Sequence, residues 1–390
     1  MQGVYLGLGL SPRRARVLEA SPYLGFVASR GTANRNAITS QKYANSRGFM
    51  YARDNMDYVR VILSSGKAGA GYSGTYTASI EYPEGTFNQV TWSGSPSYEA
   101  AAGINFISDV VELVTPIPEG ARFWVRIFQS STQGILYSTN KYTPFGDALE
   151  YSATPIADKT MSGTMTNMAG GFPAMPVGVI GMTRKPSFLL IGDSKCIAGE
   201  TDAGDATGDT GELARSIGGD FAYSNVGMGG DTALAFSTGV SSGNRADLAQ
   251  YCSHILCNLG VNDIQAGRTL ATIGGYLQDI YAMFPDKKIY QTTITPKTAS
   301  TDSWATEENQ SAVTNFPFGA TGTRYEVNEW IRNNEAGIDG YFEVAGAVET
   351  SLNSGVWKVP DYTDDGLHEN TRGYLLIKNS GVIDPKSFTR

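Results

Sequence analysis

Apolar positions recur with two different periods along the chain, and the change of period divides it. From about residue 50 to about residue 145 the period is two. In Tyr58–Leu63, Val59, Val61 and Leu63 share one face. Thr75–Tyr82 has the same composition and runs into the turn Pro83-Glu84-Gly85, after which Phe87–Trp92 resumes it. Phe123–Phe128 follows a second turn, Pro118-Glu119-Gly120, and its apolar run predicts a buried strand. Short strands separated by Gly and Pro turns predict an all-β, sandwich-like domain.

Residues 145–186 change character. Met161, Met165, Met168, Met175 and Met182 cluster there, with Gly170-Gly171 and several prolines. Methionines fill irregular gaps, so this stretch reads as a connector packed against a domain. The predicted division is a β-rich accessory domain with its connector over 1–180 and a second domain over 181–390.

The second half alternates strand and helix patterns. Strands are predicted at Ser187–Ile191, Phe221–Ser224, Ile255–Leu259, Lys288–Ile294 and Tyr341–Val344. Helices are predicted at Glu212–Ser216, Arg245–Tyr251, Thr269–Phe284 and Glu326–Asn333, with Asn370 capping a last helix through Leu376. Such alternation over about 200 residues predicts an α/β domain, a parallel sheet with helices on both faces. Reactive groups in such sheets sit on loops at the carboxyl ends of the strands.

Composition and charge narrow the function. Of 390 residues, 41% are hydrophobic and 17% charged, which excludes a disordered chain, a coiled coil and a collagen. No apolar run reaches the roughly 20 residues of a membrane span. The opening MQGVYLGLGLSPRRAR places its apolar stretch before its positive charges, the reverse of a signal peptide, so the sequence leaves open a cytoplasmic or virion-associated protein, one delivered by another route, or a mature form restarted at Met1. Three cysteines, Cys196, Cys252 and Cys257, are too few for a disulfide framework. The net charge of −8 is uneven: residues 1–184 hold 15 Lys and Arg against 12 Asp and Glu, and residues 185–390 hold 15 against 26. The acidic half offers no basic footprint, so neither nucleic acid nor an anionic membrane is an expected partner.

Four loops after predicted strands carry unusual residues. The first strand ends in Gly192-Asp193-Ser194, where a glycine allows a sharp turn that can present a serine as nucleophile. The second ends in Asn225-Val226-Gly227-Met228-Gly229-Gly230-Asp231-Thr232, whose glycines let backbone N–H groups approach a ligand. The third ends in Gly260-Val261-Asn262-Asp263, where Asn262 can aim an amide into the cleft. Near the C-terminus, Asp365-Gly366-Leu367-His368 sets one of only two histidines three residues after a carboxylate. A general base needs an imidazole held on its other nitrogen by such a partner. The second histidine, His254, opens an apolar strand and reads as structural.

In order and placement these four blocks resemble those of the SGNH (GDSL-type) hydrolases, over about residues 185–390. The resemblance implies a flavodoxin-like three-layer α/β/α domain. It implies Ser194 as nucleophile, with Asp365 and His368 completing a triad. It further implies an oxyanion hole of the Ser194 and Gly230 N–H groups and the Asn262 amide; no cofactor or metal is expected. Lys195 departs from the family, whose name-motif has Leu at this position. More weakly, the N-terminal β module resembles accessory domains of carbohydrate esterases or of phage tail proteins.

Other groups offer rival chemistry. Asp202, Asp205, Asp209 and Glu212 could suggest calcium, but their spacing misses an EF-hand and predicts a solvated loop. Cys252, His254 and Cys257 could suggest zinc, but lie along one strand without a second cluster. Cys196 lacks a base of its own. The expected activity is hydrolysis of O-acyl, chiefly O-acetyl, esters of carbohydrate. The alternatives are a phage structural or receptor-binding protein with an ancillary hydrolase domain, and a lipase or thioesterase. A homo-oligomer or a phage particle would be its assembly partner.

Overall fold

The computed structural model describes residues 20–390 apart from 34–35, 68–69, 139–144, 167–171, 199–200, 206, 314–320 and 336. The opening segment read above, Met168 and Gly170-Gly171 lie outside the described residues.

Five strands of the second half, Ser187–Ile191, Ala222–Asn225, His254–Cys257, Lys288–Thr292 and Gly340–Phe342, pair in parallel. Numbered along the chain, their spatial order is 2-1-3-4-5. This is the flavodoxin-like doubly wound order, with the winding reversing between strands 1 and 3. Ser194 and Asn262 both lie just beyond the carboxyl ends of these two strands, on the short helices Ser194–Ile197 and Val261–Gln265.

Alternate residues of these strands feed two cores. Leu189, Ile191, Ile255 and Cys257 pack with Phe236 of the Ala233–Ser237 helix, with Ile273 and Leu277 of Leu270–Ala282, and with Val327 of Thr323–Arg332. Phe188, Leu190 and Leu256 pack on the other face with Leu213 of Gly211–Ile217 and with Tyr374 and Ile377 of Thr371–Ser380. The last helix starts as its sequence suggests: Asn370 accepts N–H bonds from Arg372 and Gly373. Val344, read above as a strand end, instead begins the helix Val344–Val348, which Glu343 caps through the Gly346 N–H.

Among the described residues the first half forms two small two-stranded antiparallel sheets and two large ones. One runs Tyr23–Phe26, Gly178–Thr183, Met56–Ser64, Asn105–Ile107, with Val111–Ile117 also on Met56–Ser64. The other is built on Gly74–Glu81, Arg122–Ser130 and Tyr43–Ala52. Val59, Val61 and Leu63, the face read from the sequence, meet Met50, Ile80 and Val125 in the core between the sheets.

The opposite face of the first sheet is buried too. Phe26, Ile62 and Ile180 belong to the same core as Leu189 and Ile255 of the parallel sheet. Gly31–Thr32 adds a sixth parallel strand beside Ala222–Asn225. The Tyr23 hydroxyl bonds the Ser187 Oγ at 2.8 Å. The expected boundary near residue 180 therefore falls inside the Gly178–Thr183 strand, in a sheet with one face on each core. The methionines divide: Met175 is buried against Gly48, where a Cβ would overlap its sulfur, while Met161 and Met182 are exposed. Among the described residues no helix is long and apolar enough to cross a membrane.

Candidate active site

After Ile191 the chain turns at Gly192 and starts a four-residue helix, Ser194–Ile197. Gly192 sits close to Asn258 and Cys196, and a Cβ there would strike the Asn258 side chain. The Asp193 carboxylate caps the helix by accepting the Lys195 N–H at 2.9 Å. Asp193 is fully buried, and burial pushes its carboxyl up to about 7 against the opposing pull of Lys195 and His368. The turn leaves Ser194 partly exposed and Cys196 buried. The Cys196 thiol donates to Asn225 Oδ1 at 3.3 Å. It is a packed thiol.

The His368 loop reaches Ser194 from the other end of the sequence. His368 Nε2 lies 2.8 Å from Ser194 Oγ, and its Nδ1 lies 2.6 Å from Asp365 Oδ2. An ionised carboxylate only accepts, so Nδ1 carries the proton and Nε2 is free to accept one from the hydroxyl. The other Asp365 oxygen accepts the N–H groups of Leu367 (2.8 Å) and His368 (2.7 Å). Partial burial pushes the Asp365 carboxyl up, but the His368 ring and these two N–H groups outweigh it and hold it well below the usual carboxylate range. Gly366 has φ +75° and lies against the Thr298 carbonyl, where a side chain has no room. The Trp357 indole donates to its carbonyl at 2.9 Å.

The glycine-rich loop is tied to the same turn. Met228 N–H donates to the Gly192 carbonyl at 2.8 Å, and Gly230, at φ +75°, is exposed at the loop's tip. Asp231 is buried against Arg245 and Ser241. Its carbonyl accepts one N–H of Asn262 at 2.8 Å. The amide has two N–H groups, so one remains for a ligand. Asn262 Oδ1 accepts from Gln265 at 3.3 Å, whose own oxygen accepts from Lys297 at 2.8 Å. Among the described residues no acceptor faces the N–H of Ser194 or of Gly230. The Ser194–His368–Asp365 arrangement has the geometry to pass a proton from hydroxyl to imidazole.

Beneath the turn lies a charged cluster that the sequence reading missed. Lys195, 3% exposed, donates to Glu369 Oε1 at 3.2 Å and contacts Thr295 Oγ1. Its Nζ stands 5.3 Å from the Trp357 ring centroid. Glu212, also buried, accepts from Asn258 at 2.9 Å, and burial together with Glu369 pushes its carboxyl well up. The only sequence signal was Lys195 itself, a lysine where the resemblance expects leucine.

The expectation of a solvated loop at residues 202–212 is corrected. Asp202 pairs with Arg215, and Asp209 accepts from Tyr223 at 2.6 Å; both carboxylates are buried. Asp205 pairs with Lys378 at 3.0 Å. Short Gly-rich spacing brings these carboxylates inward, where arginine, lysine and hydroxyl partners offset their burial. Cys252, His254 and Cys257 are buried in the strand layer, at its amino end and within it; burial raises both thiols to about 12.

No family model and no curated protein matches the chain. Solved structures do. A member of the lipolytic G-D-S-L family from Veillonella parvula is 15% identical over 52% of this chain and 99% of its own, with a TM-score of 0.36. A variant of an acetyl-xylooligosaccharide esterase from Geobacillus is 16% identical over 53% of this chain and 96% of its own, TM-score 0.35. A GDSL-like lipase from Bacteroides thetaiotaomicron is 14% identical over 50% and 87%, TM-score 0.34. In its four strand-end blocks, and in the order in which the parallel sheet carries them, the second half of the chain resembles the SGNH hydrolases.

Proposed function

We propose that the protein is a serine esterase whose reaction centre is Ser194, His368 and Asp365. One observation carries this reading: the continuous hydrogen-bond path from Ser194 Oγ through the imidazole to the Asp365 carboxylate, 2.8 and 2.6 Å long. His368 Nε2 takes the hydroxyl proton as Oγ attacks the ester carbonyl carbon. Asp365 holds the ring in the required tautomer and stabilises the imidazolium. The carbonyl oxygen becomes an oxyanion that accepts from the N–H groups of Ser194 and Gly230 and from the second N–H of Asn262. The imidazolium returns its proton to the departing alcohol. Water, deprotonated by His368, then releases the acyl group and restores Ser194.

The substrate class we propose is an O-acetyl ester borne on carbohydrate. The Asp365 side chain is 51% exposed and that of His368 23%, so the centre opens to solvent. An open centre suits a small acyl group on a bulky polar carrier better than a long acyl chain, which needs an apolar channel. The antiparallel sheets joined to the α/β half supply additional surface for such a carrier. The test is hydrolysis of p-nitrophenyl esters from acetate to decanoate beside acetylated polysaccharides, with Ser194→Ala as control. Rates that rise with chain length would replace the carbohydrate reading with a lipase. Equal rates for the control would end the esterase reading.

A further inference from the structure

Two segments remote in sequence meet at the candidate centre, and each presents a pair of adjacent residues. On one, Ser194 faces the solvent side and Lys195 is buried; on the other, His368 is partly exposed and Glu369 is fully buried. The two outer residues are joined at 2.8 Å and the two inner ones at 3.2 Å. The buried ion pair is thus the interior counterpart of the hydrogen bond that the reaction uses. We propose that Lys195 and Glu369 are positioning residues, whose pairing fixes the distance between Ser194 Oγ and His368 Nε2. The proposal rests on the triad reading above and adds to it what holds the triad together.

The surroundings leave the pairing few substitutes. Ser194 lies on a helix of only four residues, ended by Ala198 at φ +42°. So short a helix has little stability of its own, and its direction depends on what its side chains reach. The His368 loop turns at Gly366 and is tied by Thr363, whose hydroxyl donates to the His368 carbonyl at 2.6 Å. That bond fixes the loop to itself and to no part of the serine turn. Lys195 makes the cross-link, and Thr295 and the Trp357 face hold its ammonium at the meeting point. Two further buried carboxyls, Asp193 and Glu212, feel the charges of both Lys195 and Glu369. Without Lys195, Glu369 loses its tie to the serine turn. A buried pair stripped of one partner leaves an uncompensated charge, so the loop moves or takes up a proton.

The test uses the full chain with Lys195→Met, Glu369→Gln and the Lys195→Met/Glu369→Met double change. Each is assayed for hydrolysis of p-nitrophenyl acetate and for the rate at which a serine-reactive phosphonate labels Ser194. Circular dichroism melts establish that each variant is folded. Displacement of a reacting group by about 1 Å costs on the order of 10²-fold. The expected result is a loss of about 10–100-fold in kcat for either single change, with KM within about twofold. Phosphonate labelling should slow in parallel, because it needs the same activated Oγ. The double change should be no worse than the worse single one, because both singles break one contact. A merely structural pair would lower the melting temperature and leave kcat and labelling within about twofold in the folded protein; that result overturns the proposal. If Lys195→Met does not fold, Glu369→Gln, which keeps the shape and an acceptor for Lys195, decides by the same criteria. If the natural chain neither labels at Ser194 nor loses activity in Ser194→Ala, the triad reading itself fails. Labelling and activity intact in both natural chain and variants defeats only the positioning role.

Discussion

Phe26 lies in the first half of the sequence, yet its side chain belongs to the core of the second. It is 1% exposed, meets the Tyr251 ring edge-on with centroids 6.3 Å apart, and covers Gly178 so closely that a Cβ there would enter the ring. Phe26→Ala should cost about 3–5 kcal/mol, the usual range for a buried phenylalanine whose cavity does not collapse. Against a total of roughly 5–15 kcal/mol for a folded domain, this is a large share. Because the first sheet has one face on each core, the loss should be felt throughout. Urea unfolding followed by tryptophan fluorescence sees Trp92 and Trp124 in the antiparallel half and Trp304, Trp330 and Trp357 in the α/β half. Residual hydrolysis of a small ester reports the candidate centre alone. Both signals should fall in one coincident transition, and Phe26→Ala should shift both midpoints equally. The same arithmetic applies to a fragment of residues 181–390. It lacks Phe26, Ile62, Val177 and Ile180, and burial of four such side chains is worth about 6–12 kcal/mol at 1.5–3 each. That fragment should not fold alone. Two separate transitions, with activity indifferent to Phe26→Ala, would refute this reasoning, as would a monodisperse, active 181–390 fragment.

Ser194→Ala should remove about 10⁴–10⁶ of kcat without lowering stability, and the phosphonate should label Ser194 and not Cys196. Asn262→Ala should cost about 10²–10³ in kcat with a smaller change in KM, the usual loss for one oxyanion donor; a change confined to KM would mean that Asn262 binds the ground state. His254 is buried between Phe188, Tyr290 and Phe388, and burial lowers its pKa to about 4. The unfolded chain binds this proton first, so the stability it contributes is complete above about pH 6.5 and is lost as pH falls towards 4, by about 3 kcal/mol at the usual 1.36 per unit. His254→Phe should flatten acid denaturation in that window, and an unchanged pH slope would contradict it.

What was legible in the sequence was what local periodicity and local chemistry can specify. The 2-residue alternation at Val59, Val61 and Leu63 marked a half-buried face, because side chains on a strand point alternately to its two sides. The alternation of strands and helices after residue 185 marked the parallel sheet. The Asn370 cap and the strand-end blocks are likewise contiguous, and their few residues sit within one turn of each other. Asp365 and His368 meet through an i,i+3 loop for the same reason. Short helices such as Val261–Gln265 and Ala233–Ser237 went unread because they have too few residues to show a period.

Only the tertiary structure decided what depends on residues far apart in the chain. Ile62 lies between Val61 and Leu63, and nothing local says that its face is covered by an α/β core rather than by water. Gly31–Thr32 has no strand signal of its own and becomes one because Ala222–Asn225 offers it an unpaired edge. Asp202, Asp209 and Glu212 looked solvated in a Gly-rich stretch. They are buried because Arg215, Tyr223 and Asn258 stand opposite them, and a charge can leave water only where such partners already wait. Ser194 and His368, Lys195 and Glu369 are 174 residues apart. The first pair was named through the resemblance of the blocks to those of the SGNH hydrolases. In the second pair Lys195 stood out only as a lysine where the resemblance expects leucine, and its partner Glu369 became visible only once folding had placed the two together in the interior, where the low dielectric makes their meeting matter.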